Sequence, residues 1–323
     1  MAEVEVDMLI VGAGPTGLFG AYYAGFRGLG VAVVDALPEV GGQISAMYPE
    51  KRIYDVAGTP GVRGRELVAS LVEQAAPYDP VYLLGRRAER LRYADDRALV
   101  GLSDGTTVRA RAVLITGGIG SFTPRPLPAA AKFARPGVAY FVPEPDDYMD
   151  RDVVIVGGGD SAFDWAAMLE PLARSVTLVH RRDRFRAHQA TVAAVQAEIL
   201  VNSEVSELRG ETTLDSVVIT HLPDGTTTEV KAQRLIAALG FTTDLGPLAD
   251  WGLTMAARRI AVDTHMATYL PLVYGAGDIV DYPGKVRLIA VGFGEVATAV
   301  NNAAVRIDPE AALMPGHSTD VAE

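Results

Sequence analysis

A chain of 323 residues that is 49% hydrophobic and 21% charged has the composition of a soluble globular protein, and its length admits one large domain or two of ordinary size. A formal net charge of −11 opposes non-specific nucleic-acid binding, the lack of cysteine excludes disulfides and dithiol redox chemistry, and five scattered histidines give no metal-ligand spacing. No apolar run approaches the about 18 residues that span a bilayer, and the acidic start Met1-Ala2-Glu3-Val4-Glu5 is unlike a secretory leader, so a cytoplasmic protein without a membrane or nucleic-acid partner is expected.

In chain order, the pattern predicts a strand over 4–11, a glycine turn, a helix over 16–27 and a strand over 31–35. A loop rich in Gly and Pro follows over 37–64, then a helix over 64–76. Short strands are expected at 81–84, 88–93 and 97–103, with Asp104-Gly105 as a hairpin turn and a strand at 110–116. The proline-rich stretch 124–145 reads as a connector. The same order then recurs: a strand over 152–156, a glycine turn, a helix over 161–169 and a strand over 175–180. A hairpin at Asp224-Gly225 follows, and then a strand at 234–238. The last segment carries Gly275-Ala276-Gly277-Asp278 and a helix over 293–305. It is too short for a domain and is expected to return and complete the first unit.

The two turns carry the chemistry. Gly12-Ala13-Gly14-Pro15-Thr16-Gly17 and Gly157-Gly158-Gly159-Asp160-Ser161-Ala162 each follow an apolar strand and open a helix. In such a unit the first Gly permits the turn, the second lets a pyrophosphate approach, and the third small residue lets helix and strand pack closely. The helix N-terminus offers N–H groups to the phosphate. At the same spacing beyond each first glycine, one unit ends in Asp35 and the other in His180-Arg181-Arg182. Asp35 suits ribose hydroxyls and repels a 2′-phosphate, so the first site suits FAD or NAD. The alternative for Asp35 is a solvated strand end. Arg181 and Arg182, with Arg184 and Arg186 beyond, suit a 2′-phosphate through charge-assisted bonds. The alternative is a solvated charged loop, diluted by Asp183, with His180 a packed strand-end residue.

Together with Gly41-Gly42-Gln43, the run His180–Arg186 and Gly275–Asp278, these motifs resemble the thioredoxin-reductase-type flavoproteins over nearly the whole chain. The segment 140–146 stands where those enzymes carry Cys-x-x-Cys, and it holds no cysteine. The chain instead resembles the cysteine-free branch, the thioredoxin-reductase-like ferredoxin–NADP⁺ reductases, through the phrases at 48–56, 160–165, 292–295, 300–303 and 317–319.

That resemblance implies an α/β fold of two Rossmann-like, three-layer ββα domains. A discontinuous FAD domain (1–117 and 246–323) receives an NADPH domain (118–245). It implies FAD contacts from Gly12, Gly14, Pro15, Thr16, Gly17, Asp35, Gly42, Gln43, Tyr48, Val56, Gly117, Phe122, Asp278 and Thr319. NADPH contacts would come from Gly157, Gly159, Asp160, Ser161, Ala162, His180, Arg181, Arg182 and Arg186. Tyr48 would stack on one face of the isoalloxazine and His317 would cover the other, with no side chain acting as acid or base and no metal. The helix starting near 293–296 would aim its N-terminus at the flavin pyrimidine edge. Glycines in the crossings 116–121 and 238–246 would let the NADPH domain rotate. The tail implies a homodimer, although after Thr319 the chain ends in Asp320-Val321-Ala322-Glu323 without the aromatic that often follows. The implied activity is electron transfer from NADPH to ferredoxin or flavodoxin, by hydride transfer to flavin N5 and then one-electron steps. A flavin oxidoreductase with a quinone or other small acceptor and a redox-sensing nucleotide-binding protein without turnover are the alternatives. Arg86, Arg87, Arg90 and Arg92 form a basic stretch that either steers a partner or protects an edge strand.

Overall fold

The computed structural model describes residues 2–314. It divides into two compact units, one formed by Met1–Ser121 together with Thr243–Glu323, the other by Phe122–Thr242. The first segment contains β1 (Glu3–Val11), α1 (Pro15–Phe26), β2 (Val31–Asp35), α2 (Gln43–Met47), α3 (Gly64–Ala75), β3 (Val81–Leu84), β4 (Ala88–Ala94), β5 (Arg97–Leu102) and β6 (Thr107–Ile115). The second unit contains β7 (Val138–Ala139), β8 (Asp152–Gly157), α4 (Asp160–Leu169), β9 (Ser175–Val179), α5 (Gln189–Ala194), β10 (Glu198–Leu200), β11 (Ser203–Arg209), β12 (Ser216–His221), β13 (Thr227–Lys231) and β14 (Arg234–Ala238). The returning segment supplies β15 (Val273–Gly275) and α6 (Ile289–Ile307).

In the first unit β3, β2, β1 and β6 pair parallel in that order. The first half of β6 pairs antiparallel with β5, which pairs with β4; the last residues of β6 pair parallel with β15. A parallel layer and an antiparallel meander thus share one strand. Burial on both faces explains the unbroken apolar run of β1. Met8 and Ile10 pack under Ala21 and Ala24 of α1 and Val296, Ala299 and Val300 of α6. Leu9 and Val11 face the meander residues Ala98, Val100 and Leu102, with Trp251. Each Met, Leu, Ile or Val among them contributes about 1.5–3 kcal/mol on burial.

The second unit repeats the plan. Strands β7, β14, β8, β9 and β10 form a parallel sheet, and β11, β12 and β13 an antiparallel meander. Val153 and Ile155 pack against Phe163, Trp165 and Leu169, while Val154 and Val156 face Val205, Val217 and Ile219. Helices, parallel sheet and meander make the three ββα layers expected of each unit. Among the described residues no helix is long and apolar enough to cross a membrane, and no group of acidic and histidine side chains is placed to hold a metal ion.

Candidate functional site

The first glycine loop joins β1 to α1. At Gly12 the backbone takes φ +114°, and an added Cβ would lie 2.7 Å from the Thr116 carbonyl oxygen. A Cβ on Gly17 would fall inside the Gly12 carbonyl oxygen, so helix and strand meet there without room for a methyl. Gly14 is different: its added Cβ meets nothing within 4 Å. Gly14 also N-caps α1 without a side-chain cap, Pro15 opens the helix, and no acid lies in the first turn. The positive end of α1 is therefore left open to an anion. Gly42, at φ +57°, closes the facing wall, its added Cβ standing 3.1 Å from the Gly14 Cα. The Gly41 N–H donates to the Ala13 carbonyl at 2.8 Å and ties the two loops together.

Asp35 ends β2 beside this loop. Its Oδ2 accepts the Ala13 N–H at 2.6 Å and its Oδ1 the Leu37 N–H at 2.8 Å. Burial pushes the carboxyl pKa up, opposed by these backbone donors and by Ala36. Each oxygen keeps a further lone pair for a ribose hydroxyl. Gln43, the first residue of α2, brings its amide beside Gly118, next to Gly117.

Tyr48 caps the end of α2. Burial pushes its hydroxyl up to about 12, and the nearby carboxylates of Asp278 and Asp55 add to the shift. That coupling brings Tyr48, Asp55 and Asp278 into one neighbourhood. The Lys51 ammonium stands 5.9 Å from the centroid of the Tyr48 ring. Val56 lies in the adjoining turn, where its carbonyl accepts the Thr59 hydroxyl at 2.9 Å.

The helix expected from 293 begins a turn earlier, at Ile289. Gly292 and Gly294 read as breakers, yet Gly292 lies within the helix because of packing. Its added Cβ would come within 2.8 Å of the Thr16 hydroxyl at the start of α1. The first donors of α6 are already partly used. The Asp55 carboxylate accepts the Ile289 N–H at 2.8 Å and the Asp55 carbonyl the Ala290 N–H at 3.2 Å. A carboxylate thus sits at the positive end of this helix. Sequence reasoning missed Asp55, since its partner is remote in the chain. It also missed the buried Lys285–Glu295 pair below Asp278. A glutamate in an otherwise apolar stretch was the available signal.

The second glycine loop joins β8 to α4. Gly159 N-caps α4 without a side-chain cap, and its added Cβ meets nothing within 4 Å. Gly157 packs tightly, its added Cβ falling 3.0 Å from that of Ala162. The ring of His180 abuts Gly158 and leaves no space for any side chain there. His180 Nε2 stands 3.1 Å from the Arg184 carbonyl, and because a carbonyl only accepts, Nε2 carries the proton. The Arg186 N–H donates to the Gly158 carbonyl at 2.7 Å, and Asp160 Oδ1 accepts the His188 N–H at 2.9 Å. The basic segment is thereby folded back onto the glycine loop. Arg181, Arg182, Arg184 and Arg186 are exposed, as are Asp160 and Ser161. Arg181 and Arg182 have no ion-pair partner among the described residues.

Burial holds the His180 pKa below its ordinary value; the bond to Arg184 opposes this, and the charges of Arg181, Arg182 and Arg186 add to it. The unfolded chain therefore binds the proton first on acidification, so stability falls as pH drops through about 6.5. The transition of this unit is expected at lower temperature near about pH 5.5 than near about pH 7.5. Scanning calorimetry should find that difference reduced in His180→Gln; an unchanged pH dependence in the variant contradicts the assignment.

Phe122 is the first residue of the second unit and packs edge-on against Phe141 and Phe241, at 6.5 and 6.0 Å between centroids. His317 and Thr319 lie outside the described residues. In the basic stretch, Arg86 pairs with Asp104 at 3.0 Å and Arg87 with Glu89 at 3.5 Å.

Both loops fit a dinucleotide: each helix start lacks a side-chain cap, and each central glycine has open space where a phosphate would approach. The comparisons with known proteins agree. The family described as pyridine nucleotide-disulphide oxidoreductase matches residues 6–303. A ferredoxin–NADP reductase of Salinispora arenicola is 64% identical over 319 residues, covering 98% of this chain and 99% of that protein. A ferredoxin–NADP reductase of Thermus thermophilus is 46% identical, covering 100% of this chain and 99% of that protein. A solved thioredoxin reductase of T. acidophilum shares the fold at a TM-score of 0.77 with 24% identity, covering 95% of this chain and 99% of that one. The chain belongs to the pyridine nucleotide-disulphide oxidoreductase family and, within it, to the thioredoxin-reductase-like ferredoxin–NADP reductases.

Proposed function

We propose that the chain holds FAD at the first glycine loop and NADP(H) at the second, and passes electrons between NADPH and ferredoxin or flavodoxin. The observation that carries this reading is the contrast between the strand ends. Asp35 is locked to its loop as an acceptor, whereas Arg181 and Arg182 stand exposed beside theirs, without an ion-pair partner among the described residues. FAD, when bound, supplies the exchange between a two-electron nicotinamide and a one-electron carrier. With no cysteine in the chain, no dithiol stands between flavin and acceptor.

The residues then have distinct tasks. Gly14 and Thr16 receive the FAD pyrophosphate at the start of α1, Gly17 lets that helix close on β1, and Asp35 accepts ribose hydroxyls. Gly42, Gln43, Val56 and Gly117 bound the flavin side, Tyr48 lies against the ring, and Asp278 accepts from the ribityl chain. In the second unit Gly159, Asp160 and Ser161 border the NADP(H) pyrophosphate, and Ala162 lets α4 pack closely on Gly157. Arg181, Arg182 and Arg186 hold the 2′-phosphate, and neutral His180 shapes the loop. A homodimer is part of this reading. Supporting that dimer, Phe19, Tyr22, Tyr23 and Phe26 form an aromatic stripe along α1, with Phe26 and Tyr78 exposed. The setting is cytoplasmic.

The test is an anaerobic titration. The purified protein is expected to be yellow, to bleach with NADPH and to recover its colour when oxidised ferredoxin is added. Light scattering should give twice the mass of the chain. Recovery with a quinone but not with ferredoxin or flavodoxin would reassign the acceptor. A yellow protein that NADPH fails to bleach would make it a nucleotide-binding sensor.

A further inference from the structure

Below the candidate flavin site lies a charged cluster for which the nucleotide contacts leave no task. The side chains of Lys285 and Glu295 are 2% and 4% exposed and form an ion pair. Glu295 Oε1 also accepts the Tyr282 hydroxyl at 2.6 Å, and its Oε2 accepts the Gly277 N–H at 2.7 Å. The Lys285 ammonium lies 5.6 Å from the centroid of the Tyr282 ring. Burial pushes the Tyr282 hydroxyl up to about 12, with the Glu295 bond and charge adding to it. Such pairs add little net stability against apolar residues of the same size, because both ions lose their water. A placement task is the better account of its presence.

Its location shows which placement. Gly277 precedes Asp278, and an added Cβ there would press on the Thr16 hydroxyl at 3.0 Å. A Cβ added at Gly292, one turn before Glu295, would press on the same hydroxyl. The start of α1, the Gly277-Asp278 turn and the first turns of α6 therefore meet at one point, and Glu295 bonds the turn to the helix. Lys285 is returned to this point by Pro283-Gly284, with its N–H donating to the Tyr282 carbonyl at 3.0 Å.

We propose that Glu295 is a positioning residue for FAD, fixing Asp278 through the Gly277 N–H, and that Lys285 serves as its buried counter-ion. The proposal rests on the FAD reading of the first site. It requires an acceptor at position 295, but no net charge there once Lys285 is also neutral. Other buried losses in α6 should cost stability without touching FAD.

The test measures the FAD dissociation constant and melting temperature of the full-length chain and four variants. Glu295→Ala is expected to bind FAD at least about tenfold more weakly, since the Gly277 N–H loses its acceptor. Val300→Ala removes a fully buried side chain from the same helix. It should melt lower yet bind FAD within about twofold of the parent. Lys285→Met, which strands a buried carboxylate, should melt below the double variant Lys285→Met/Glu295→Gln. The double variant should bind FAD within about threefold of the parent, because the glutamine oxygen still accepts the Gly277 N–H. Should Glu295→Ala fail to fold, the double variant decides. Parental affinity in Glu295→Ala, an equal loss in Val300→Ala, or a tenfold loss in the double variant overturns the proposal while the parent stays yellow. A parent that takes up no FAD overturns the FAD reading and this proposal with it.

Discussion

Gly14→Ala is expected to fold as well as the parent and to lose FAD, whereas Gly17→Ala should lose the fold's stability itself. The difference is geometric. At Gly14 the backbone is extended, at φ −70° and ψ 179°, which any residue adopts, and a methyl would meet no protein atom within 4 Å. It would occupy the space through which a pyrophosphate approaches the open end of α1. The apoprotein melting temperature should stay within about 2 °C of the parent, since no packed atom moves. FAD affinity should fall by at least about 100-fold, or about 2.7 kcal/mol. At Gly17 a methyl would overlap the Gly12 carbonyl, which belongs to the turn itself. Relieving that overlap separates α1 from β1 at a cost of about 1–3 kcal/mol, seen as a fall of roughly 5–10 °C in apoprotein melting. Calorimetry and FAD titration of the two apoproteins check the contrast. Equal loss of stability in both would mean that the space above Gly14 is not a ligand's.

The second large effect is expected at the other loop. Arg181→Ala/Arg182→Ala should raise the KM for NADPH about 100-fold and leave that for NADH within about twofold. Each arginine gives a charge-assisted bond worth about 1.5–3 kcal/mol, and NADH has no 2′-phosphate to receive it. The kcat with NADPH should hold, because the 2′-phosphate lies far from the nicotinamide. Loss of the two guanidiniums leaves no anion stranded, as both are exposed and have no ion-pair partner among the described residues. Steady-state kinetics with both coenzymes decide; a parallel rise for NADH would show that the arginines hold something common to both.

Much of this was legible in sequence for a local reason. The run into Gly12, the helix after it and the acid at Asp35 belong to one short βαβ unit, so spacing alone places them. The same holds for Gly157, α4 and His180. What escaped was set by partners far along the chain. Gly292 and Gly294 weaken a helix by propensity, and only the press of Thr16 on Gly292 explains a glycine inside α6. Asp55 reads as a loop residue until Ile289 arrives to use its carboxylate. Glu295 and Lys285 read as two ordinary charges, because nothing in their spacing reveals that both are buried and that Glu295 accepts the Gly277 N–H. His180 illustrates the intermediate case. Its neighbourhood was legible, but its contact with Gly158 makes it a packed organiser of the loop whatever else it touches.

The strand pairing of Val113 with Val273 also bears on how the protein is made. A chain leaving the ribosome finishes the whole of 122–242 before β15, which flanks the end of β6 on the side away from β1, has been synthesised. The inserted unit, continuous in sequence, is free to fold during translation. The first unit must wait with the Val113 N–H and the Ile115 carbonyl, which face β15, unpaired by it, and without α6 to cover Met8 and Ile10. Contacts that close over so long a stretch form late, and an open strand edge is a site of mispairing between nascent chains. Loss of the residues after 242 therefore removes α6 and β15 from the first unit, leaving the rest of its helices and sheet in place but uncovered, and premature termination becomes a hazard of aggregation as well as of lost activity.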